Sequence, residues 1–198
     1  MATVRCGNQS VLLVVDVQVG VMREAWEADR VLANVSRVVA RARRAGAPVV
    51  WIQHADAELV DGSADWQWAT EVKPEPGEPV IAKHFNSAFE QTTLEATLAE
   101  LGATRLVVAG AATNWCIRAT AYAALERGYD LTLIHDAHTT QTLVLDGGVR
   151  IEAAGVVHDL NAVVGGLSYP GRVSRTAAAE EVGFGLPALW AGSSKGEA

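Results

Sequence analysis

Short apolar runs alternate along this chain with stretches in which apolar residues recur every three or four positions. The runs are VLLVV at 11–15, PVVWIQ at 48–53, PVIA at 79–82, LVVA at 106–109 and YDLTLI at 129–134. Runs of this length without strict polar alternation are typical of strands that are covered on both faces. The pattern therefore predicts a sheet of buried parallel strands.

The stretches between the runs predict helices. One spans residues 29–44, one begins at Thr92 or Thr93, one begins at Thr113 or Asn114 and ends at Gly128, and one spans 146–160. Their inward-facing positions include Val31, Val35, Val38, Val39 and Ala42; Leu94, Leu98 and Leu101; Ile117, Ala121 and Leu125; and Val149, Ala153, Val156, Val157 and Leu160. Strands that alternate with helices imply right-handed parallel crossovers.

This order of elements favours a doubly wound, Rossmann-like α/β fold with three layers, in which helices cover both faces of a sheet of six parallel strands. The sixth strand is predicted at 172–174, after a glycine-rich connection at 161–171. We expect one domain over residues 1–198, with its core at about 11–182 and a frayed tail at 183–198.

Composition narrows the class of protein. The formal net charge is −7, which argues against a nucleic-acid binder because such a protein needs a basic face. No apolar run is long enough to cross a bilayer, and the first ten residues lack a hydrophobic signal core. The two cysteines, Cys6 and Cys116, form no disulfide framework. We expect a cytoplasmic protein with no membrane partner.

Three polar side chains follow strands of the predicted sheet. Asp16 comes directly after the run at 11–15, Lys83 after the run at 79–82, and Cys116 in the first helical turn after the run at 106–109. Each has an ordinary structural interpretation: a loop carboxylate, a surface lysine and a small buried thiol. The carboxyl ends of parallel strands meet at one edge, however, so the three side chains are expected to converge in one crevice.

A carboxylate, an ammonium and a thiol in one crevice can carry out nucleophilic catalysis. The helix start and the Lys83 charge would lower the pKa of Cys116, and Asp16 could take the thiol proton and return it to a leaving group. The small residues of the turn at 110–112 would let backbone amides face an oxyanion.

Other polar residues leave alternatives open. His54 and Asp56 follow the second strand and could bind a metal if His84 joined them, or could simply line the cleft. His135 and His138 follow the fifth strand, where they invite interpretation as general bases, but we assign neither a catalytic role.

The segment at 57–77 is the longest without a periodic pattern, and it contains Trp66 and Trp68. Loops of this length usually serve as lids, binding loops or contacts with another subunit. The two tryptophans would line a pocket or be covered by a partner chain.

Three motifs resemble the isochorismatase-like cysteine hydrolases: LLVVDVQ at 12–18, KHFNSAF at 83–89 and GAATNWCIRATAYAALERGY at 110–129. The resemblance covers about residues 11–182. It implies an Asp-Lys-Cys catalytic triad of Asp16, Lys83 and Cys116. It also implies a cis peptide bond between Ala111 and Ala112, and an oxyanion hole formed by the amides of Ala112 and Cys116.

The resemblance also bears on the reaction. Members that cleave a vinyl ether generally lack the cysteine, so Cys116 favours hydrolysis of a C–N bond through a thioester. Nicotinamidases carry an Asp-x-His metal pair where this chain has the reverse order, His54 and Asp56. Other members hydrolyse N-carbamoyl compounds, ureides, biuret, maleamate or the lactam of streptothricin.

We therefore predict hydrolysis of a small amide, carbamoyl or lactam substrate without metal or cofactor. We predict substrate contacts from Gln18, His54, Phe89 and Trp115, and a homodimer or homotetramer, as in related proteins. Vinyl ether hydrolysis, nicotinamidase activity and a non-catalytic scaffold on the same fold are the alternatives.

Overall fold

The structure, a computed structural model, describes residues 5–185. In this part of the chain the strands are β1 (Gln9–Val15), β2 (Val49–His54), β3 (Val80–Lys83), β4 (Ala103–Ala111), β5 (Asp130–Thr139), β6 (Leu143–Val144), β7 (Arg150–Ile151) and β8 (Ser174–Ala177). The α-helices are α1 (Val19–Met22), α2 (Ala28–Arg44), α3 (Leu94–Glu100), α4 (Arg118–Glu126) and α5 (Ala153–Gly166).

Six of the strands form one parallel sheet in the order β3-β2-β1-β4-β5-β8. The chain winds outward from β1 in one direction and from β4 in the other, which confirms the predicted doubly wound topology. A crevice forms outside the carboxyl ends of the strands where the winding reverses. In this sheet that point lies between β1 and β4.

The core lies on both faces of the sheet because successive strand residues point to opposite sides. Leu13 and Val15 pack on the face covered by α3, α4 and α5, whereas Leu12 and Val14 pack on the face covered by α2. The strands are buried on both faces, which explains their nearly continuous apolar sequences.

One glycine is required where β1 and β4 approach each other. Gly110 has φ +125, and a Cβ atom there would lie 2.0 Å from the backbone oxygen of Val15. Any side chain at this position would therefore push the two strands apart. Val15 and Gly110 are register partners close to the carboxyl ends of β1 and β4. Their contact therefore fixes the distance between these two strands at the point where the crevice forms.

The predicted helix at 146–160 is wrong in its first half. Residues 143–151 form an antiparallel β6–β7 hairpin, and α5 begins at Ala153. Gly147 and Gly148 both have positive φ, 83° and 80°, which turns the chain out of a helical path. The spacing of apolar residues across 145–160 resembles a helix but spans two elements.

Two other boundaries differ. The connection predicted at 161–171 is helical as far as Gly166, and the last strand is Ser174–Ala177 rather than 172–174. The start of the predicted tail is packed, since Phe184 is buried against the α2 face. Residues 186–198 lie outside the described residues, so the prediction of a frayed end there stays a prediction.

Within residues 5–185, no helix combines the length and the apolar character needed to span a bilayer.

Candidate active site

The three predicted side chains meet at the carboxyl edge of the sheet. Asp16 directly follows β1, and Lys83 is the last residue of β3. Cys116 lies on a π-helical turn, Thr113–Ile117, that joins β4 to α4. The turn starts without the side-chain cap expected from Thr113 or Asn114. Asp16 adopts a positive φ of 49°, and its N–H donates to the Ile52 oxygen at 2.9 Å.

Lys83 lies between the other two side chains. Its Nζ is 2.7 Å from Asp16 Oδ2 and donates to Cys116 Sγ at 3.2 Å. The side chains of Lys83 and Asp16 are 0% and 2% exposed. We treat the Lys83–Asp16 contact as an ion pair, since neither carboxylate oxygen of Asp16 has a well-aligned hydrogen-bond donor among the described residues. A carboxylate in this state can still accept a proton.

Burial decides the protonation of the thiol. The pKa of Cys116 is raised to about 12, chiefly by desolvation and also by the negative charge of Asp16, while the positive charge of Lys83 opposes both. Desolvation also raises the pKa of Asp16, although Lys83 works against it. The expected low thiol pKa is therefore wrong for the resting protein. The thiol is neutral and needs a base when it reacts.

The turn that carries Cys116 follows an unusual peptide bond. The bond between Ala111 and Ala112 is cis, as the resemblance implies. The Ala112 oxygen accepts hydrogen bonds from the N–H groups of Trp115 and Ile117, both at 3.1 Å. These bonds wind the chain so that Ala112 and Cys116 both line the cleft.

The cleft above the three residues has a volume of about 420 Å³. Its lining is strongly polar. The residues are Asp16, Gly20, Val21, His54, Asp56, Glu58, Leu59, Asp65, Asn86, Ala112, Trp115, Cys116, Thr140 and Gln141. Trp115 is 51% exposed, so its ring is available to a bound molecule at the mouth.

His54 lines this cleft and also contacts the lysine. Its Nδ1 is 3.1 Å from Lys83 Nζ, and its Nε2 is 3.0 Å from Asp56 Oδ2. His84 does not join the pair, because its Nδ1 lies 2.8 Å from the Ala55 oxygen. Among residues 5–185, no three His, Cys, Asp or Glu side chains are grouped to hold a metal ion.

Two predicted substrate contacts lie outside the cleft lining. Gln18 is fully buried, and its amide bonds to the backbone of His54 and Trp66. Phe89 is buried in the core, where it stacks on Tyr129 at 6.0 Å between ring centroids. These two predictions are corrected: both side chains are taken up by contacts within the chain.

His138 lies next to Thr113, the first residue of the π-helical turn that carries Cys116. Thr113 Oγ1 and His138 Nδ1 lie 2.8 Å apart, and His138 Nε2 is 2.9 Å from Asn161 Oδ1. Desolvation lowers the pKa of His138 to about 4, so the ring is neutral. These hydrogen bonds connect β5 and α5 to the turn that carries Cys116, and we interpret His138 as a structural residue.

The tryptophan loop packs on its own chain. Trp68 meets Trp51 edge-on at 5.4 Å between ring centroids, and both rings belong to the α2 face of the core. The Trp66 oxygen accepts from the amides of Gln18 and Gln53. Glu58, Leu59 and Asp65 of the same loop wall the cleft, as do Asn86 and Gln141 elsewhere. Sequence reasoning missed these residues individually, although a binding loop is one of the three roles that it allows for 57–77.

Comparisons with known proteins find similar sequences and a similar fold. A family model described as the isochorismatase domain matches residues 10–145. A streptothricin hydrolase of Streptomyces noursei is 39% identical over 145 residues, which cover 70% of this chain and 57% of that protein. A ureidoacrylate amidohydrolase of Variovorax paradoxus is 31% identical over 157 residues, covering 63% and 60%. The chain thus spans about half the length of the curated relatives it matches.

A solved structure is also similar. The crystal structure of an isochorismatase from Pseudomonas putida KT2440 superposes with a TM-score of 0.77 at 27% sequence identity. The match covers 87% of this chain and 89% of that one, so the two folds agree over almost their whole length.

Proposed function

This chain belongs to the isochorismatase family of hydrolases, and from that membership and the geometry of its cleft we propose that it hydrolyses a C–N bond of a small molecule through a thioester on Cys116. One observation carries the proposal. Lys83 Nζ lies 3.2 Å from Cys116 Sγ and 2.7 Å from Asp16 Oδ2, and Asp16 and Cys116 line the cleft.

In the first half of the proposed reaction, Asp16 takes the Cys116 proton while Sγ attacks the carbonyl carbon of the substrate. The amides of Ala112 and Cys116 hold the oxyanion, and the positive charge of Lys83 stabilises the negative charge that develops on Sγ as its proton leaves. Asp16 then gives the proton to the leaving nitrogen, the C–N bond breaks and a thioester remains.

In the second half, water replaces the amine. The water oxygen attacks the thioester carbon while Asp16 takes a proton from the water, and the C–S bond then breaks. The thiolate recovers the proton, so the residues return to their resting state. The raised pKa of Asp16 suits it to this work, because a carboxylate that binds a proton more readily is a better base.

The acidic mouth narrows the substrate class. Asp56, Glu58 and Asp65 line the cleft, and Asp65 is paired with Arg23. Backbone bonding from Leu59 lowers the pKa of Asp56, so this carboxylate is ionised at neutral pH. Negative charge at the entrance repels anions and attracts cations. We propose that neutral or cationic amides are preferred over anionic ones.

A panel assay tests the proposal. Purified protein is incubated with matched neutral, cationic and anionic primary amides, ureides and lactams, and released ammonia or amine is measured. Intact-mass spectrometry after rapid quenching should show an acyl adduct on wild type and none on Cys116→Ala. Turnover that survives in Cys116→Ala, or no turnover of any C–N substrate, would favour another reaction of the family or a non-catalytic role.

A further inference from the structure

The ammonium of Lys83 is fully enclosed by acceptors. It has three N–H bonds, and three acceptors surround it: Asp16 Oδ2 at 2.7 Å, Cys116 Sγ at 3.2 Å and His54 Nδ1 at 3.1 Å. The side chain is 0% exposed, so water does not replace a missing acceptor. Two acceptors belong to the proposed triad, and the third, His54, has no part in the proposed reaction.

The contacts of His54 fix its protonation. Lys83 donates to Nδ1, so this nitrogen carries no proton and the neutral ring holds its proton on Nε2. That N–H points to Asp56 Oδ2 at 3.0 Å. The carboxylate thus selects the tautomer that can accept from the lysine.

Both members of the pair are themselves held in place. Asp56 Oδ1 accepts from the N–H groups of Glu58 at 2.9 Å and Leu59 at 2.7 Å, which leaves Oδ2 for the ring. The backbone of His54 is clamped by Gln18, whose Oε1 accepts from its N–H at 2.9 Å and whose Nε2 donates to its oxygen at 3.0 Å. The ring has little freedom to leave Lys83.

We propose that Asp56 and His54 form a positioning dyad for Lys83. The dyad accepts one N–H bond of the ammonium and so holds Nζ within reach of Cys116 Sγ and beside the carboxylate of Asp16. Its loss leaves a buried N–H without an acceptor, which favours a displaced lysine. The inference rests on the proposed function, because the dyad serves the thiol through Lys83. His54 and Asp56 are positioning residues in this role.

Alkylation of Cys116 tests the dyad without a substrate. In a Cys6→Ser background, the rate of reaction with iodoacetamide is measured from about pH 6 to about pH 10, where it follows the thiolate fraction. Asp56→Asn keeps an oxygen for the two backbone N–H groups but presents an amide donor to His54. This reverses the tautomer and turns a ring N–H toward Lys83. We expect alkylation to slow by about tenfold or more.

The matched control separates positioning from charge. Glu58→Gln removes the same charge from the same wall without touching His54. Loss of a negative charge alone favours the thiolate, so this variant should react as fast as its parent or faster. Among the described residues, the titratable groups that contact the His54 ring are Asp56 and Lys83, and Asp16 interacts with it electrostatically. If Asp56→Asn matches Glu58→Gln, the dyad has no positioning role.

Substitutions at His54 give a second, independent measurement. His54→Asn retains an acceptor close to the position of Nδ1, whereas His54→Gln reaches toward Asp56 and leaves the Lys83 N–H without one. We expect His54→Asn to keep more of the alkylation rate than His54→Gln. Equal rates, or the reverse order, in variants whose thermal unfolding resembles wild type would overturn the proposal.

Turnover of a substrate found in the panel adds a third measurement. With a neutral substrate, whose binding does not depend on the charge of the cleft mouth, both Asp56→Asn and His54→Gln should lower kcat while KM stays within about twofold, because the dyad acts on the nucleophile. A change confined to KM would make His54 a substrate contact instead. If no panel compound is turned over, the proposed function fails, but the alkylation comparison still decides the dyad.

Discussion

Lys83 Nζ lies 3.2 Å from Cys116 Sγ, although β2 and β1 separate the strands that lead to these two residues. Lysine has the long unbranched side chain needed to cross those strand ends. It does so through the interior, with a side chain that is 0% exposed. A buried cation held in this way has few alternative positions. How strongly Lys83 stabilises a thiolate on Cys116 therefore depends on the groups that hold Nζ in place.

Substitution of Asp16, Lys83 and Cys116 should show what each residue contributes to turnover in variants that remain folded. We expect Cys116→Ala to abolish turnover, and Lys83→Ala and Asp16→Asn each to lower kcat by about 10³-fold or more, with non-additive double variants. Cys6→Ala is the control, since Cys6 is exposed and far from any assigned role. Steady-state kinetics on folded variants make the measurement. Turnover by Asp16→Asn near the wild-type rate would remove Asp16 as the proton carrier.

The charge of Asp16 should affect alkylation and turnover in opposite directions. Its negative charge is one cause of the raised pKa of Cys116, about 12, and Asn removes that charge while Lys83 remains. The thiol pKa should therefore fall in Asp16→Asn, and iodoacetamide should react faster near neutral pH. In a Cys6→Ser background, mass spectrometry can follow this rate. Slower alkylation would mean that Asp16 already deprotonates the resting thiol.

Acid should destabilise the fold through His138. Its pKa is lowered to about 4 in the folded protein against an ordinary value near 6.5, so the unfolded chain takes up this proton first as the pH falls. The free energy of unfolding keeps its full value above about pH 6.5 and loses about 3 kcal/mol by about pH 4.

Urea unfolding at a series of pH values measures this slope. His138→Gln should flatten it, whatever that variant does to stability at neutral pH. His158→Gln, which changes an exposed histidine, is the matched control and should keep the wild-type slope. An unchanged slope in His138→Gln would assign the acid sensitivity to other groups.

We propose a homo-oligomer in which the β6–β7 hairpin meets a second copy of the chain. Its apolar residues Val144 and Val149 are 63% and 58% exposed, whereas Trp68 of the loop at 57–77 packs on the core of its own chain. Exposed apolar residues on one short hairpin favour contact with a partner. Sedimentation at micromolar concentration should give two or more chains, and Val144→Glu combined with Val149→Glu should shift the mass toward one. A wild-type monomer would contradict the proposal.

The sequence predicts the sheet well because its strands are buried on both faces. Continuous apolar runs leave few other structures, and a parallel sheet then brings Asp16, Lys83 and Cys116 to one edge by topology alone. The failure at 146–160 has a physical cause. Leu145 and Val149 keep a helical spacing, but they flank a turn made by Gly147 and Gly148.

The properties that sequence misses depend on contacts between distant segments. The pKa of Cys116 follows from how completely the cleft walls exclude water, which no local pattern contains. Gln18 follows Asp16 closely in a family motif, and so substrate binding is a reasonable expectation. Its amide instead bonds to the Trp66 oxygen, 48 positions away.

The buried amide of Gln18 connects the tryptophan loop with the histidine that contacts Lys83. The same side chain bonds to the Trp66 oxygen in the loop and to both backbone groups of His54. A movement that lifted the loop at Trp66 would break the first bond and loosen the other two. His54 would then be free to release Lys83. The position of Lys83 beside Cys116 would thus depend on a hydrogen bond in a loop 17 residues before it in sequence, between Gln18 and the Trp66 oxygen.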